Sequence, residues 1–208
     1  MYFTHLLFLL LMKLYYNTHI REGGMNMFRV WFTSDTHFGA RRTLDLSRRP
    51  YSSVEEMDNI LVNNMNQFIK PGDLVYHLGD FGDYETIKRL NGNWHLIFGN
   101  YEQKDLQDKF GGDIDKFKTY LLGLGFSNIS TNCNWYGDIL MIHEPEKIQD
   151  KSGKTFHLFG HIHEKVKIKP YGLNVGVDCN HFVPIDRDTV YFYKNAIEKG
   201  YYDDNVWK

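Results

Sequence analysis

The sequence predicts an α/β layered fold, on three observations. Runs of apolar, β-branched and aromatic residues of strand length alternate with helical stretches in the first half of the chain. The second half is richer in strands. Strand after strand stops at a turn bearing aspartate, asparagine or histidine, and in α/β folds ligands sit beyond the carboxyl ends of the strands.

The first strand is Phe28-Arg29-Val30-Trp31-Phe32-Thr33, running into Ser34-Asp35-Thr36-His37-Phe38-Gly39. A helix begins at Ser53, which makes a capping box with Glu56 three residues on. Val54, Met57, Ile60, Leu61, Met65, Phe68 and Ile69 form its apolar stripe, and Lys70-Pro71-Gly72 stops it. The second strand, Asp73-Leu74-Val75-Tyr76-His77-Leu78, ends in Gly79-Asp80-Phe81-Gly82-Asp83, and residues 84–90 form a short helix. The third, Trp94-His95-Leu96-Ile97-Phe98, ends in Gly99-Asn100-Tyr101-Glu102. Residues 103–125 read as mostly helical, with Phe117, Tyr120, Leu121 and Leu124 inward and Gly123 and Gly125 closing the end.

Residues 134–138 give a strand end and turn, followed by the buried strand Ile139-Leu140-Met141-Ile142, which ends in His143-Glu144-Pro145. Residues 146–154 form a surface loop. Thr155-Phe156-His157-Leu158-Phe159 is the next strand, and Gly160 bends it into His161-Ile162-His163. Two imidazoles one residue apart in a strand would face opposite ways, whereas on an irregular turn they can converge. Residues 165–169, 173–178 and 189–193 are read as further strands.

The chain has 208 residues, 42% apolar and 24% charged, with net charge −2, the profile of a globular protein with a sizeable core. That balance excludes a global basic footprint for long nucleic acid, although Arg41, Arg42, Arg48 and Arg49 form a local cluster. Cys133 and Cys179 are too few for a disulfide framework, so a reducing, cytoplasmic setting is expected. The apolar run Leu6 to Met12 is only seven residues, against ~20 needed to cross a bilayer, so no membrane association is expected. Residues 1–24 are read as a dispensable extension from an upstream start, and residues 25–208 as one domain.

The strand-end residues are Asp35, His37, Asp80, Asn100, His143, His161 and His163. Singly, each has an ordinary explanation: aspartate and asparagine favour turns, and most lone histidines are packed or exposed structure. Together they suit a pair of divalent transition ions. One ion takes Asp35, His37 and His163; the other takes Asn100, His143 and His161; Asp80 bridges both. Two negative ligands against four positive charges leave the site cationic and attractive to phosphate. His77, His95 and His157 lie within strands and read as structure, and His181 is a weak candidate for an alternative acid.

The series Asp35-x-His37, Gly79-Asp80-x-x-Asp83, Gly99-Asn100, His143 after a buried strand, and Gly160-His161-x-His163 resembles the calcineurin-like metallophosphoesterases. The likeness covers roughly residues 28–186 and is greatest to small bacterial or phage-type members with an Asp-Thr-His-Phe-Gly opening. It implies a four-layer α/β/β/α sandwich and a two-metal site hydrolysing phosphate monoesters or diesters. Mn²⁺ is the ion expected first, with Fe, Ni²⁺ or Zn²⁺ as alternatives. Two departures stand out: Tyr101 replaces the histidine that contacts the scissile phosphate in the family, and Ala40 replaces a histidine common in small members.

The expected mechanism is in-line attack by a hydroxide bridging two ions ~3.5–4 Å apart. Asp80, Asn100, Tyr101 and His143 are the expected catalytic set, Arg41 and Arg42 with Tyr101 contact substrate, and Asp83 holds ligands from behind. The expected partner is a small phosphoester or nucleotide. Rival readings are a protein-binding module that has lost catalysis, favoured by Tyr101 and Ala40, and a nuclease on short oligonucleotides.

Overall fold

The computed structural model describes residues 28–200, and the expected extension at 1–24 lies outside the described residues. Two five-stranded sheets carry the fold, flanked by helices in the expected α/β/β/α layering. The first sheet runs in the order β10-β1-β2-β3-β4 and comprises β1 (Val30–Thr33), β2 (Leu74–His77), β3 (Asn93–Ile97), β4 (Asn128–Ser130) and β10 (Ile185–Asp186). Strands β1 to β4 are parallel and β10 is antiparallel to β1. The second sheet runs β5-β6-β7-β9-β8, from β5 (Cys133–Tyr136), β6 (Ile139–Ile142), β7 (Phe156–Phe159), β8 (Ile168–Lys169) and β9 (Gly172–Asn174). Strands β6, β7 and β9 are parallel.

The period of two along β1 divides the interior. Trp31 faces a core shared with Met57, Leu61, Met65 and Phe117 from the helical layer. Val30 and Phe32 face Ile139, Met141, Leu158 and Leu173 of the second sheet. Burying a side chain such as Phe32 contributes ~1.5–3 kcal/mol, so the inter-sheet layer holds the two sheets together. An isolated parallel bridge from Ser34 to Gly176 joins the sheets at the edge where β1, β2, β3, β6 and β7 end.

The helices are α1 (Arg41–Leu46), α2 (Val54–Phe68), α3 (Asn100–Phe110), α4 (Ile114–Leu124) and α5 (Arg187–Glu198). Helix α2 starts as expected, with Ser53 Oγ accepting from the Glu56 amide. Residues 84–89 form a 3₁₀ helix capped by Asp83. The single helix expected over 103–125 is two, because Gly111 ends α3 in a left-handed conformation and Asp113 caps α4. Gly123 lies inside α4 rather than closing it, and Tyr120 is exposed rather than inward. Helix α1 has no apolar stripe to announce it, only Thr43 and Leu44 being buried.

The strand expected at 189–193 is a correction: those residues lie in α5. Asp186 accepts the Thr189 amide at 2.7 Å as an N-cap, and Val190, Tyr193 and Ile197 then recur at helical spacing against the inter-sheet core. The cap and the helical stripe outweigh the strand preference of a Thr-Val-Tyr-Phe-Tyr run. The strand expected over 165–169 shrinks to Ile168–Lys169, and that over 173–178 ends at Asn174 and gives way to a 3₁₀ turn at Val177–Cys179. No helix among the described residues is long and apolar enough to cross a membrane.

Candidate metal centre

Because β1, β2, β3, β6 and β7 all end at one edge, their terminal turns meet there. Backbone hydrogen bonds lace the turns together: the Asp35 amide donates to Gly79 O, the His37 amide to Asp80 O, and the Gly160 amide to His143 O. Five residues in these turns, Asp35, His37, Asp80, His161 and His163, have φ between 49° and 70°, the left-handed region. Outside glycine such a conformation costs of order 1–3 kcal/mol each. Nothing in the sequence signals it, although Asp and His tolerate it better than bulkier residues. It turns His161 and His163 into the same pocket.

Gly160 is required by space. A side chain there would meet the Ser34 side chain and the Asp35 carboxylate, which instead accepts the His161 amide at 3.0 Å through both oxygens. Donor atoms of Asp35, His37 and His163 lie within 4.8 Å of one another, as do those of Asp80, His143 and His161. Asn100 Oδ1 sits between His143 Nε2 (3.1 Å) and His161 Nδ1 (3.0 Å). Asp80 spans the two groups: Oδ2 is 3.5 Å from His37 Nε2, and Oδ1 is 3.4 Å from His143 Nε2. Asp80 Oδ1 also accepts the Tyr101 amide at 3.0 Å. A further acidic grouping, Glu144 and Glu146, borders His161 on the solvent side.

The donor set fits metal ions. His37 is buried with both ring nitrogens lacking a hydrogen-bond partner, an expensive state for an imidazole unless something else takes a lone pair. Burial pushes its pKa down to about 3, so it is the neutral form that a metal needs. His143 Nδ1 lies 2.6 Å from the Leu78 carbonyl, which can only accept, so Nδ1 carries the proton and Nε2 faces Asp80 and Asn100. His163 Nδ1 lies 2.7 Å from Asp178 Oδ2, which directs its Nε2 to the pocket in the same way, with its ring stacked on His37.

The electrostatics are those of a tight cluster of opposite charges. Burial opposes ionisation of Asp80, yet the hydrogen bond and charge of His143, aided by His37, hold its carboxyl down at about 2. Burial works against the His143 imidazolium, but Asp80 prevails and raises it to about 9. Burial pushes the Asp35 carboxyl up, against the charges of His143 and His163.

Two supporting carboxylates were not found from sequence. Glu102 is fully buried and accepts the amides of Asp80, Phe81 and Gly99 at 2.8–2.9 Å. Burial and the Asp80 charge push its carboxyl up to about 7, against the three amides that pull it down. Asp178 pairs with His163 and with Arg49. Glu102 in the first turn of a helix was in plain view as half of a cap; Asp178 carried no local signal. Asp83, expected behind the ligands, instead caps the 3₁₀ helix through the Glu85 amide and is exposed.

The centre opens into a cavity of about 280 Å³ lined by His37, Asp80, Tyr101, His161 and His163, with Arg42 at its mouth. Tyr101 stands edge-on to His37, and Arg42 Nη1 is 3.4 Å from its hydroxyl. Arg41 points elsewhere, paired with Asp45 on the exposed face of α1. Among the non-ligand histidines, His77 is buried against Thr36, His95 bonds Ser130, and His157 bonds the Tyr171 carbonyl. His181 lines a separate cavity beside Trp31 and Tyr193, away from the metal-ligand turns.

The chain is similar in sequence or fold to several known proteins. An uncharacterised protein of Methanocaldococcus jannaschii is 28% identical over 191 residues, covering 85% of this chain and 95% of its own length. The gene 66 protein of Mycobacterium phage L5 is 24% identical, covering 83% of this chain and 97% of its own. The crystal structure of AQ665, a protein of unknown function from Aquifex aeolicus, shares the fold with a TM-score of 0.58 at 22% identity, over 80% of this chain and 99% of its own. The sequence profile described as calcineurin-like phosphoesterase matches residues 28–169, the stretch that holds every strand-end candidate ligand named above. The chain belongs to the calcineurin-like phosphoesterase family, whose chemistry is metal-dependent hydrolysis of phosphoesters.

Proposed function

We propose that the protein is a binuclear-metal phosphoesterase acting on small phosphoesters or nucleotides. Asp35, His37 and His163 would hold one ion, Asn100, His143 and His161 the other, and Asp80 both. The observation that carries this reading is the division of the Asp80 carboxylate, one oxygen toward His37 and the other toward His143. The mixed nitrogen and oxygen donors suit Mn²⁺ first, and Fe, Ni²⁺ or Zn²⁺ as well. When bound, such ions supply Lewis-acid activation of the phosphate and of water at neutral pH.

The chain's own groups do the rest. Arg42 presents a guanidinium fork at the cavity mouth, placed to clamp a phosphate oxygen or its ester group. Tyr101 offers a hydroxyl to a phosphate oxygen, with Arg42 and the His37 ring restraining it. A phenol protonates a departing alkoxide poorly compared with an imidazolium, so substrates with good leaving groups are favoured. Asp35 and Asp80 neutralise and orient metal, and neither is the nucleophile. The test is hydrolysis of bis-p-nitrophenyl phosphate and p-nitrophenyl phosphate by metal-stripped protein after adding Mn²⁺, Ni²⁺ or Zn²⁺. Turnover that Asp80→Asn abolishes while circular dichroism is unchanged supports the reading; turnover surviving in Asp80→Asn sinks it.

A further inference from the structure

Arg49 is the one lysine or arginine buried among the described residues, and it belongs neither to the metal ligands nor to the cavity wall. Its guanidinium makes a two-pronged pair with Asp178, Nε to Oδ1 and Nη2 to Oδ2, each 2.9 Å. The same group donates to the carbonyl of Asp35 at 2.6 Å and to that of Thr36 at 2.8 Å. Asp178 Oδ2 also accepts from His163 Nδ1 at 2.7 Å. One side chain between α1 and α2 thus ties the turn after β1, on the first sheet, to the His163 turn of the second. The other half of the centre is backed differently: His143 by the Leu78 carbonyl, His161 by Glu146, which is exposed.

We propose that Arg49 and Asp178 are positioning residues for the Asp35–His37–His163 half of the metal centre. Arg49 fixes the backbone that aims Asp35 and His37, and Asp178 sets the proton on His163 Nδ1 and turns Nε2 inward. A lysine reproduces the charge of Arg49 but not its planar fork, which here meets two carboxylate oxygens and two carbonyls at once. This inference rests on the metal-centre reading above and adds which chain groups set the affinity of one site.

The test is isothermal titration of metal-stripped full-length protein with Mn²⁺, with bound manganese counted by atomic emission, for wild type, Asp178→Asn and Arg49→Lys. The expected result is two ions in wild type and, in both variants, one site weakened about 10–100-fold with the other unchanged and circular dichroism preserved. Two sites of wild-type affinity in the variants overturn the positioning role and leave the metal centre standing, whatever happens to the melting temperature. Equal weakening of both sites also overturns it. A wild type that binds no manganese overturns the metal-centre reading and this one with it. Failure of both variants to fold assigns the bridge to stability and defeats the proposal.

Discussion

The backbone amide of Tyr101 donates to Asp80 Oδ1 at 3.0 Å, so the residue after Asn100 is moored to the central carboxylate through its main chain. The mooring is independent of which side chain the position carries. Tyr101→His therefore should leave manganese binding unchanged while introducing an imidazole where the family has one. Turnover of alkyl phosphoesters is expected to rise at least ~10-fold, with a much smaller change for p-nitrophenyl esters. Paired kcat measurements on the two ester types check this, and no gain on alkyl esters would place the proton donor elsewhere.

Glu102 connects three backbone amides of two ligand-bearing turns. Glu102→Gln puts an amide NH₂ where one acceptor oxygen stood, and loss of about 1–3 kcal/mol is expected for an amide left unmet in a buried site. Because the folded carboxyl is raised from 4.5 to about 7, the proton binds the native state more tightly. Its stabilising contribution is then full below 4.5 and is lost as pH rises through 7, the reverse of the common carboxylate pattern. Urea unfolding of metal-free protein between pH 5 and 8 should show that component in wild type and lack it in Glu102→Gln.

Metal affinity should climb with pH. Asp80 holds the His143 imidazolium up to about 9 in the metal-free protein, and a metal must displace that proton. Apparent Mn²⁺ affinity of the site that His143 would serve is expected to rise about tenfold per pH unit from pH 6 toward 8.5, with release of about one proton as that site fills. Calorimetry in two buffers of different ionisation enthalpy counts the proton; an affinity flat across that range contradicts the coupling.

Gly160→Ala should injure the centre through space alone, since the added methyl meets Ser34 and the Asp35 carboxylate. Overpacking at such a site costs ~1–3 kcal/mol. A fall in melting temperature together with weakened manganese binding is expected, and a variant with wild-type values of both would show that the Asp35 turn yields freely.

Much of this candidate site was legible because its residues follow β1, β2, β3, β6 and β7 directly, and each strand carries its own apolar signature. Asp80 and His143 each follow a buried run, but it was the whole series of strand-end residues, and neither of them alone, that pointed to a shared site. The supporting bridge was not legible: Arg49 and Asp178 are 129 residues apart and meet only when the two sheets are stacked. Arg49 looked like one of four similar arginines, and burial, which sequence does not print, is what separates it from exposed Arg48. The α5 stretch was misread because Thr189, Val190 and Tyr191 favour strands locally, while the Asp186 cap and packing on β9 and β10 decide for a helix.

The most direct measurement is a titration of metal-stripped protein with Mn²⁺ in which bound metal and bis-p-nitrophenyl phosphate turnover are read on the same samples. A shared Asp80 carboxylate predicts negligible turnover at one equivalent and full turnover at two, with the electron paramagnetic resonance spectrum of a spin-coupled manganese pair. Full turnover at one equivalent, or two uncoupled ions, would contradict it.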